Sequence, residues 1–188
     1  AYNGAAGETE AAMAEALQLA HMWKDGLTRH SLNAANRALL DALTKGDDPH
    51  VHLNVANSVW HRRELVFNET FLRDNERFYK ATVTGLDFDA SESVERINAW
   101  VSDATKGRIQ SVVDRLDADQ IMVLINAVYF KGAWTTPFNP EQTRELPFRL
   151  LNGDTRLVPM MYREGRIDYY ENDFQAVRLP YGDERLAM

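Results

Sequence analysis

The sequence predicts an α+β protein, and three observations carry that expectation. Helical and extended patterns are segregated along the chain, an apolar run from Ile121 to Phe130 sits past its middle, and the last third reads as consecutive short strands parted by turn residues. A doubly wound sheet would alternate its elements more strictly.

Gly7, Glu8 and Thr9 precede an Ala-rich stretch in which Met13, Ala16, Leu17 and Ala20 recur at helical spacing, which predicts a helix over Glu10–Trp23. A second helix starts from Ser31 as N-cap, runs through Leu32, Ala35, Leu39, Leu40 and Leu43, and ends at Lys45-Gly46 before an Asp47-Asp48-Pro49 turn. From Val51 to Trp60 the period becomes two. Val51, Leu53, Val55 and Val59 take one face of this strand, and His52, Asn54, Ala56, Ser58 and Trp60 the other. Asn68 caps a helix carrying Phe71, Leu72, Phe78 and Tyr79; Ala81–Phe88 is β-prone; Ser91 begins a helix through Val94, Ile97, Trp100, Val101 and Ala104 that stops at Lys106-Gly107.

The run Ile121–Phe130, interrupted only by Asn126, predicts a central strand buried on both faces or nearly so. After Pro137 and Pro140 come strands at Glu145–Leu151, Thr155–Tyr162, Arg166–Glu171 and Phe174–Leu179, with turns at Asn152-Gly153-Asp154 and Arg163-Glu164-Gly165. Glu184–Met188 reads as a strand just begun, and an apolar strand left without a partner is costly, so the chain is expected to be a fragment of a longer protein.

With 188 residues, 45% hydrophobic and 26% charged, the composition excludes disorder and collagen-like repeats. No apolar stretch approaches the ~20 residues of a membrane helix, and the first residues lack the basic start and apolar block of a signal peptide. Lys and Arg total 21 against 28 Asp and Glu, a formal charge of −7 with the cations scattered, which argues against nucleic acid as a partner, and no membrane partner is expected. The absence of cysteine removes disulfides, thiolate metal sites and cysteine nucleophiles, and points toward a prokaryotic source.

No Gly-x-Ser-x-Gly elbow, Gly-rich phosphate loop, His-Glu-x-x-His or Cys-based box is present, so no catalytic residue, metal or cofactor is assigned and the protein is not expected to be an enzyme. His50 and His52 share a strand face but have no third ligand nearby and read as surface histidines. Asp87, Asp89, Ser91 and Ser93 alternate like a calcium loop, yet Glu92 stands where the loop needs glycine, and a strand-to-helix connection with a capping serine is preferred. Arg29, His30, Arg37 and Lys45 could attract a heparin-type polyanion, but Asp41, Asp47 and Asp48 offset them and a solvated helix face is preferred. The Asn68-Glu69-Thr70 sequon is explained by helix capping. Asn126 stands out, because a carboxamide inside an apolar strand costs stability unless its hydrogen bonds are made. A locally satisfied structural asparagine and a polar cluster where strands must part both fit it.

The block Asn126-Ala-Val-Tyr-Phe-Lys-Gly-Ala-Trp134, followed by Thr-Thr-Pro-Phe138, resembles the hallmark of the serpins, the serine protease inhibitor superfamily. Ile97-Asn98-Ala-Trp100-Val101 with Thr105-Lys-Gly107-Arg108-Ile109 is similar to the family's F helix and its exit. Val158-Pro159-Met160-Met161, Leu179-Pro180-Tyr181, Ala56-Asn57-Ser58-Val59-Trp60 and Gly7-Glu8-Thr9 fit further family segments in order over nearly all positions. The resemblance implies a partial serpin fold, its N-terminal and central portion: helices C to F, strands 2, 1 and 3 of sheet A at about Val51–Trp60, Ala81–Phe88 and Ile121–Trp134, and the start of sheets C and B from Thr143 onward. Residues 1–188 then form a single incomplete serpin domain lacking the first helices and the C-terminal half with the reactive loop.

By the same resemblance Asn126, Thr105, Arg108, Asn57 and Ser58 belong to the shutter under the F helix, Asn98 and Trp100 to that helix, and Trp134 to the breach at the top of sheet A. The implied function is inhibition of a serine protease, or of a cysteine protease, by a suicide-substrate mechanism in which the cleaved reactive loop inserts into sheet A beside strand 121–134. The implied compartment is extracellular or periplasmic. The reactive bond is absent from this chain, which is expected to be inactive alone. The alternative is a non-inhibitory serpin-fold scaffold that binds, carries or chaperones.

Overall fold

A computed structural model describes residues 2–19 and 26–188. The described residues fall into two compact units, one of residues 2–19, 26–46 and 53–130, the other of residues 47–52 and 131–188.

The first unit begins with a short 3-10 turn, Tyr2–Gly4, and helix α1 (Gly7–Ala16). The helix expected over Glu10–Trp23 therefore starts earlier and ends sooner: Gln18 takes a left-handed φ of 55° just beyond it, and residues 20–25 lie outside the described ones. Helix α2 (Arg29–Thr44) is capped by Thr28, not by Ser31. The Thr28 hydroxyl accepts the Ser31 N–H while the Ser31 hydroxyl accepts the Thr28 N–H, a reciprocal box that places Ser31 at the third helical position.

Strand β1 (Val51–Arg62) pairs in parallel with β2 (Thr82–Leu86), with Ser58 opposite Thr82 and Arg62 opposite Leu86. Strand β3 (Met122–Gly132) lies on the other side of β1, giving the order β2-β1-β3. Arg62 donates its N–H to the Ile121 carbonyl while Asn57 lies against Asn126, so β3 runs antiparallel to β1.

Helices cover both faces of β1. On one, Val59 packs with Phe71 of α3 (Glu69–Tyr79) and Ala81; on the other, Trp60 packs with Leu86, Phe88 and Ile97 of α4 (Ser91–Ala104). This is the alternation expected for Val59 and Trp60, and both side chains are 2% exposed. Asn68 caps α3 as expected, accepting the N–H groups of Thr70 and Phe71. Helix α4 departs from expectation at its start: the N-cap is Ala90, and the serine that ties the connection down is Ser93, whose hydroxyl donates to the Asp87 carbonyl.

Strand β3 is not buried on both faces. Val123 and Ile125 pack on the Trp60 cluster and Ala127 is buried, but Leu124, Val128 and Phe130 on the opposite face are 44%, 53% and 42% exposed. The apolar run reports that either face can be covered; in this chain side chains pack against one face along most of its length, while at the strand's start Met122 joins the Val59 cluster.

In the second unit, β4 (Arg144–Arg149) and β5 (Thr155–Met160) form a hairpin, as do β6 (Asp168–Glu171) and β7 (Gln175–Arg178), and β8 (Pro180–Tyr181) pairs with β9 (Leu186–Ala187). The four strands expected between Glu145 and Leu179 are all present with shifted bounds: β4 starts one residue earlier and ends two sooner, β5 ends two sooner, β6 starts two later, and β7 loses one residue at each end. Gly153 sits in the β4–β5 turn at φ 90°, a conformation that disfavours any side chain. Among the described residues no helix is long and apolar enough to cross a membrane.

Candidate functional site: an asparagine-pinned sheet with an open edge

The site is built on β1, β3 and the two helices that flank them. Alternation along β1 sends Asn57 to the α3 face and Ser58 to the α4 face. The Asn57 amide donates to the Tyr79 carbonyl at the end of α3 at 2.8 Å, and its side-chain oxygen accepts from the Asn126 amide on β3, also at 2.8 Å. Both ends of the Asn57 carboxamide are thus engaged, which fixes its orientation. Asn126 itself is exposed, so the cost expected of a buried carboxamide does not arise in this chain. Ser58, 2% exposed, accepts the indole N–H of Trp60 at 2.8 Å.

Helix α4 and its exit are pinned across the sheet by further polar side chains. Asn98 donates to the Val113 carbonyl at 2.7 Å and accepts the N–H groups of Val112 and Val113 at 2.9 and 3.1 Å, so one side chain holds the segment that follows the helix. Trp100 stands edge-on to Trp60 with ring centres 6.0 Å apart and donates its indole N–H to Thr82 on β2. Thr105 is 1% exposed, yet its hydroxyl works within its own helix end, donating to the Val101 carbonyl and accepting the Ile109 N–H. Arg108 is exposed. Of the five residues grouped together by resemblance, the hydrogen bonds join Asn57 and Asn126; Ser58 and Thr105 serve other partners.

Three contributors carry no signal in the sequence. Asn54 on β1 donates to the Ala104 carbonyl at 2.9 Å and ties the end of α4 to the sheet. Tyr79 donates its hydroxyl to Asn33 of α2 at 2.8 Å, and burial pushes its phenol above the ordinary value. Arg62 at the end of β1 donates to the Gln120 and Ala118 carbonyls and to both oxygens of Asp89, holding the entry to β3. The strand pattern alone cannot distinguish Asn54 from any solvent-facing polar residue.

A cleft of about 610 Å³ opens beside these residues, with Leu17, Leu32, Leu124, Asn57, Asn126 and Tyr79 among its lining. Among the described residues no cluster of three or more His, Cys, Asp or Glu could hold a metal. His50 and His52 are exposed.

In the second unit Trp134 stacks on Tyr181 with ring centres 4.3 Å apart and planes 14° from parallel, and meets Phe138 edge-on at 5.9 Å. The Thr135 N–H donates to the Pro180 carbonyl and the Gly182 N–H to the Ala133 carbonyl.

The family described as Serpin (serine protease inhibitor) matches residues 1–188. An uncharacterized serpin-like protein of Thermococcus kodakarensis is 36% identical over 191 residues, covering 100% of this chain and 43% of that protein. Human Serpin B9 is 34% identical over 192 residues, covering 98% of this chain and 49% of Serpin B9. Among solved structures, emu ovalbumin superposes with a TM-score of 0.87 at 26% identity over 100% of this chain and 52% of the ovalbumin chain. The chain belongs to the serpin family, and it spans about half the length of the curated relatives it matches.

Proposed function

We propose that the protein containing this chain inhibits a serine or cysteine protease as a suicide substrate, with its cleaved reactive loop inserting beside β3. The observation that carries this reading is the match of residues 1–188 to the family described as Serpin (serine protease inhibitor), with β3 at the end of the order β2-β1-β3 among the described residues. A strand added there gains a ladder of backbone bonds, which is how strand addition obtains its affinity; serpin loops are a known instance of that mode. Residues 1–188 act as one incomplete serpin domain, with the reactive loop in sequence outside them.

In this reading the Asn57–Asn126 pair with Ser58, Thr105 and Arg108 forms the shutter, Asn98 and Trp100 hold the helix above it, and Trp134 marks the breach. Hydrogen bonds of about 1 kcal/mol each can be exchanged when strands part, whereas interlocked apolar side chains could not be separated so cheaply. The protein works as an inhibitor and not as an enzyme, in an extracellular or periplasmic compartment.

The test is incubation of the longer protein with a panel of serine and cysteine proteases, read on denaturing gels. A covalent adduct with at least one protease is expected. Cleavage as an ordinary substrate by all of them, with no adduct, overturns the inhibitory reading in favour of a binding or carrier scaffold.

A further inference from the structure

The turn after β8 closes onto a carboxylate that no motif marks. One oxygen of Asp48 accepts the His50 N–H at 2.8 Å and the other accepts the Asp183 N–H at 2.8 Å. Gly182, the residue before Asp183, has φ 49°, and an added Cβ there would stand 1.8 Å from the Asp48 carboxylate and 2.7 Å from Val51. The backbone therefore approaches the carboxylate closely only because that position is glycine. The same turn is bonded to the segment carrying Trp134: Gly182 donates its N–H to Ala133, the Thr135 N–H donates to Pro180, and the Thr135 hydroxyl donates to the Gly182 carbonyl. Ala133 in turn donates to His50, so three chain segments meet at one point.

We propose that Asp48 is the positioning residue for Trp134: by gripping the N–H groups of His50 and Asp183 it holds the 181–184 turn where Tyr181 stacks on the indole. The consequence for inhibition rests on the reading of Trp134 as the breach residue; the clamp itself does not. An ionised carboxylate accepts two N–H bonds at once and makes each stronger than a neutral acceptor would. Asparagine offers one acceptor and turns an NH2 group toward the other N–H, and alanine offers none.

Acid has the same effect as these substitutions. The N–H groups of Asp183 and His50 hold the Asp48 carboxyl below its ordinary value of 3.8. A depressed carboxyl contributes fully above the ordinary range, and the clamp is lost as pH falls through the lowered value. The ionisable groups facing Asp48 are His50 on its own segment and Asp183 on the turn; segment 133–135 brings none. His50 favours the ionised form of the Asp48 carboxyl, so it works with the clamp and not against it.

The test labels the chain with 5-fluorotryptophan, follows the resonances of its four tryptophans, and assigns Trp134 through Trp134→Phe. Asp48→Asn and Asp48→Ala are expected to shift the Trp134 resonance at neutral pH and leave the others in place. In the unsubstituted chain the Trp134 resonance moves in the same direction on acidification, with a midpoint below the ordinary aspartate range, and in Asp48→Asn this titration is absent. If Asp48→Ala does not fold, Asp48→Asn and the acid titration decide. A Trp134 resonance unmoved in a folded Asp48→Asn chain overturns the proposal. A second arm measures the covalent adduct fraction of the longer protein: a moved resonance with an unchanged adduct fraction leaves the clamp standing and removes the breach role from Trp134.

Discussion

Asn126 on β3 donates its side-chain amide to the side-chain oxygen of Asn57 on β1 at 2.8 Å, and Asn57 passes the contact on to the Tyr79 carbonyl at the end of α3. Edge strand, central strand and helix are joined through one carboxamide whose two ends have different partners.

That asymmetry predicts unequal costs. Asn57→Ala leaves the Tyr79 carbonyl and the Asn126 amide without their partner and is expected to cost about 1–2 kcal/mol, whereas Asn126→Ala, at an exposed position where water can replace the lost bond, costs below about 1 kcal/mol. Urea denaturation of the two single variants and the double variant measures this, with a coupling of about 0.5–1 kcal/mol expected between them.

Asn98 predicts a larger effect, because it serves three backbone groups of the Val112–Val113 segment. Asn98→Ala is expected to destabilise by about 2 kcal/mol and to accelerate amide exchange at Val112 and Val113. Asn98→Asp keeps the acceptor, but it cannot donate to the Val113 carbonyl and sets two oxygens against each other, so exchange at both amides should fall between the parent and Asn98→Ala.

The entry to β3 should respond to acid through Asp89. The hydrogen bonds and charge of Arg62 hold the Asp89 carboxyl below its ordinary value, so its contribution is present at neutral pH and is lost as pH falls through the depressed value. Asp89→Asn is expected to lower stability only slightly at pH 7, since the carboxylate is exposed, and to flatten the profile between about pH 5 and pH 2 by that same small amount. Arg62→Ala should be the more damaging at every pH, because it also releases the Gln120 and Ala118 carbonyls; amide exchange across residues 117–121 reads the difference.

Much of this architecture was legible before any coordinates. The period-two pattern of Val51–Trp60 sent Val59 and Trp60 to opposite faces, and the structure packs them into separate clusters. The Asn68 cap and the short strands after Pro140 also stand where their turn and capping residues put them. Where the structure departs from the pattern, local competitions decide. Ser31 and Thr28 are both good caps, and only the reciprocal bonding between them shows that Thr28 starts the helix. An apolar run such as Ile121–Phe130 records what a strand tolerates on its two faces, not what covers them.

Periodicity and side-chain chemistry are local properties of the chain, so the main helices and strands and, through the Asn126–Trp134 block, the serpin family can be read from the residues alone, whereas the exposure of Asn126 cannot. Tertiary structure alone decided that Asn126 meets Asn57, that Asn98 holds the segment beyond its own helix, and that Asp48 closes on the turn at Gly182. Those pairings depend on strand register and on where a turn lands in space, and neither is encoded at any one position.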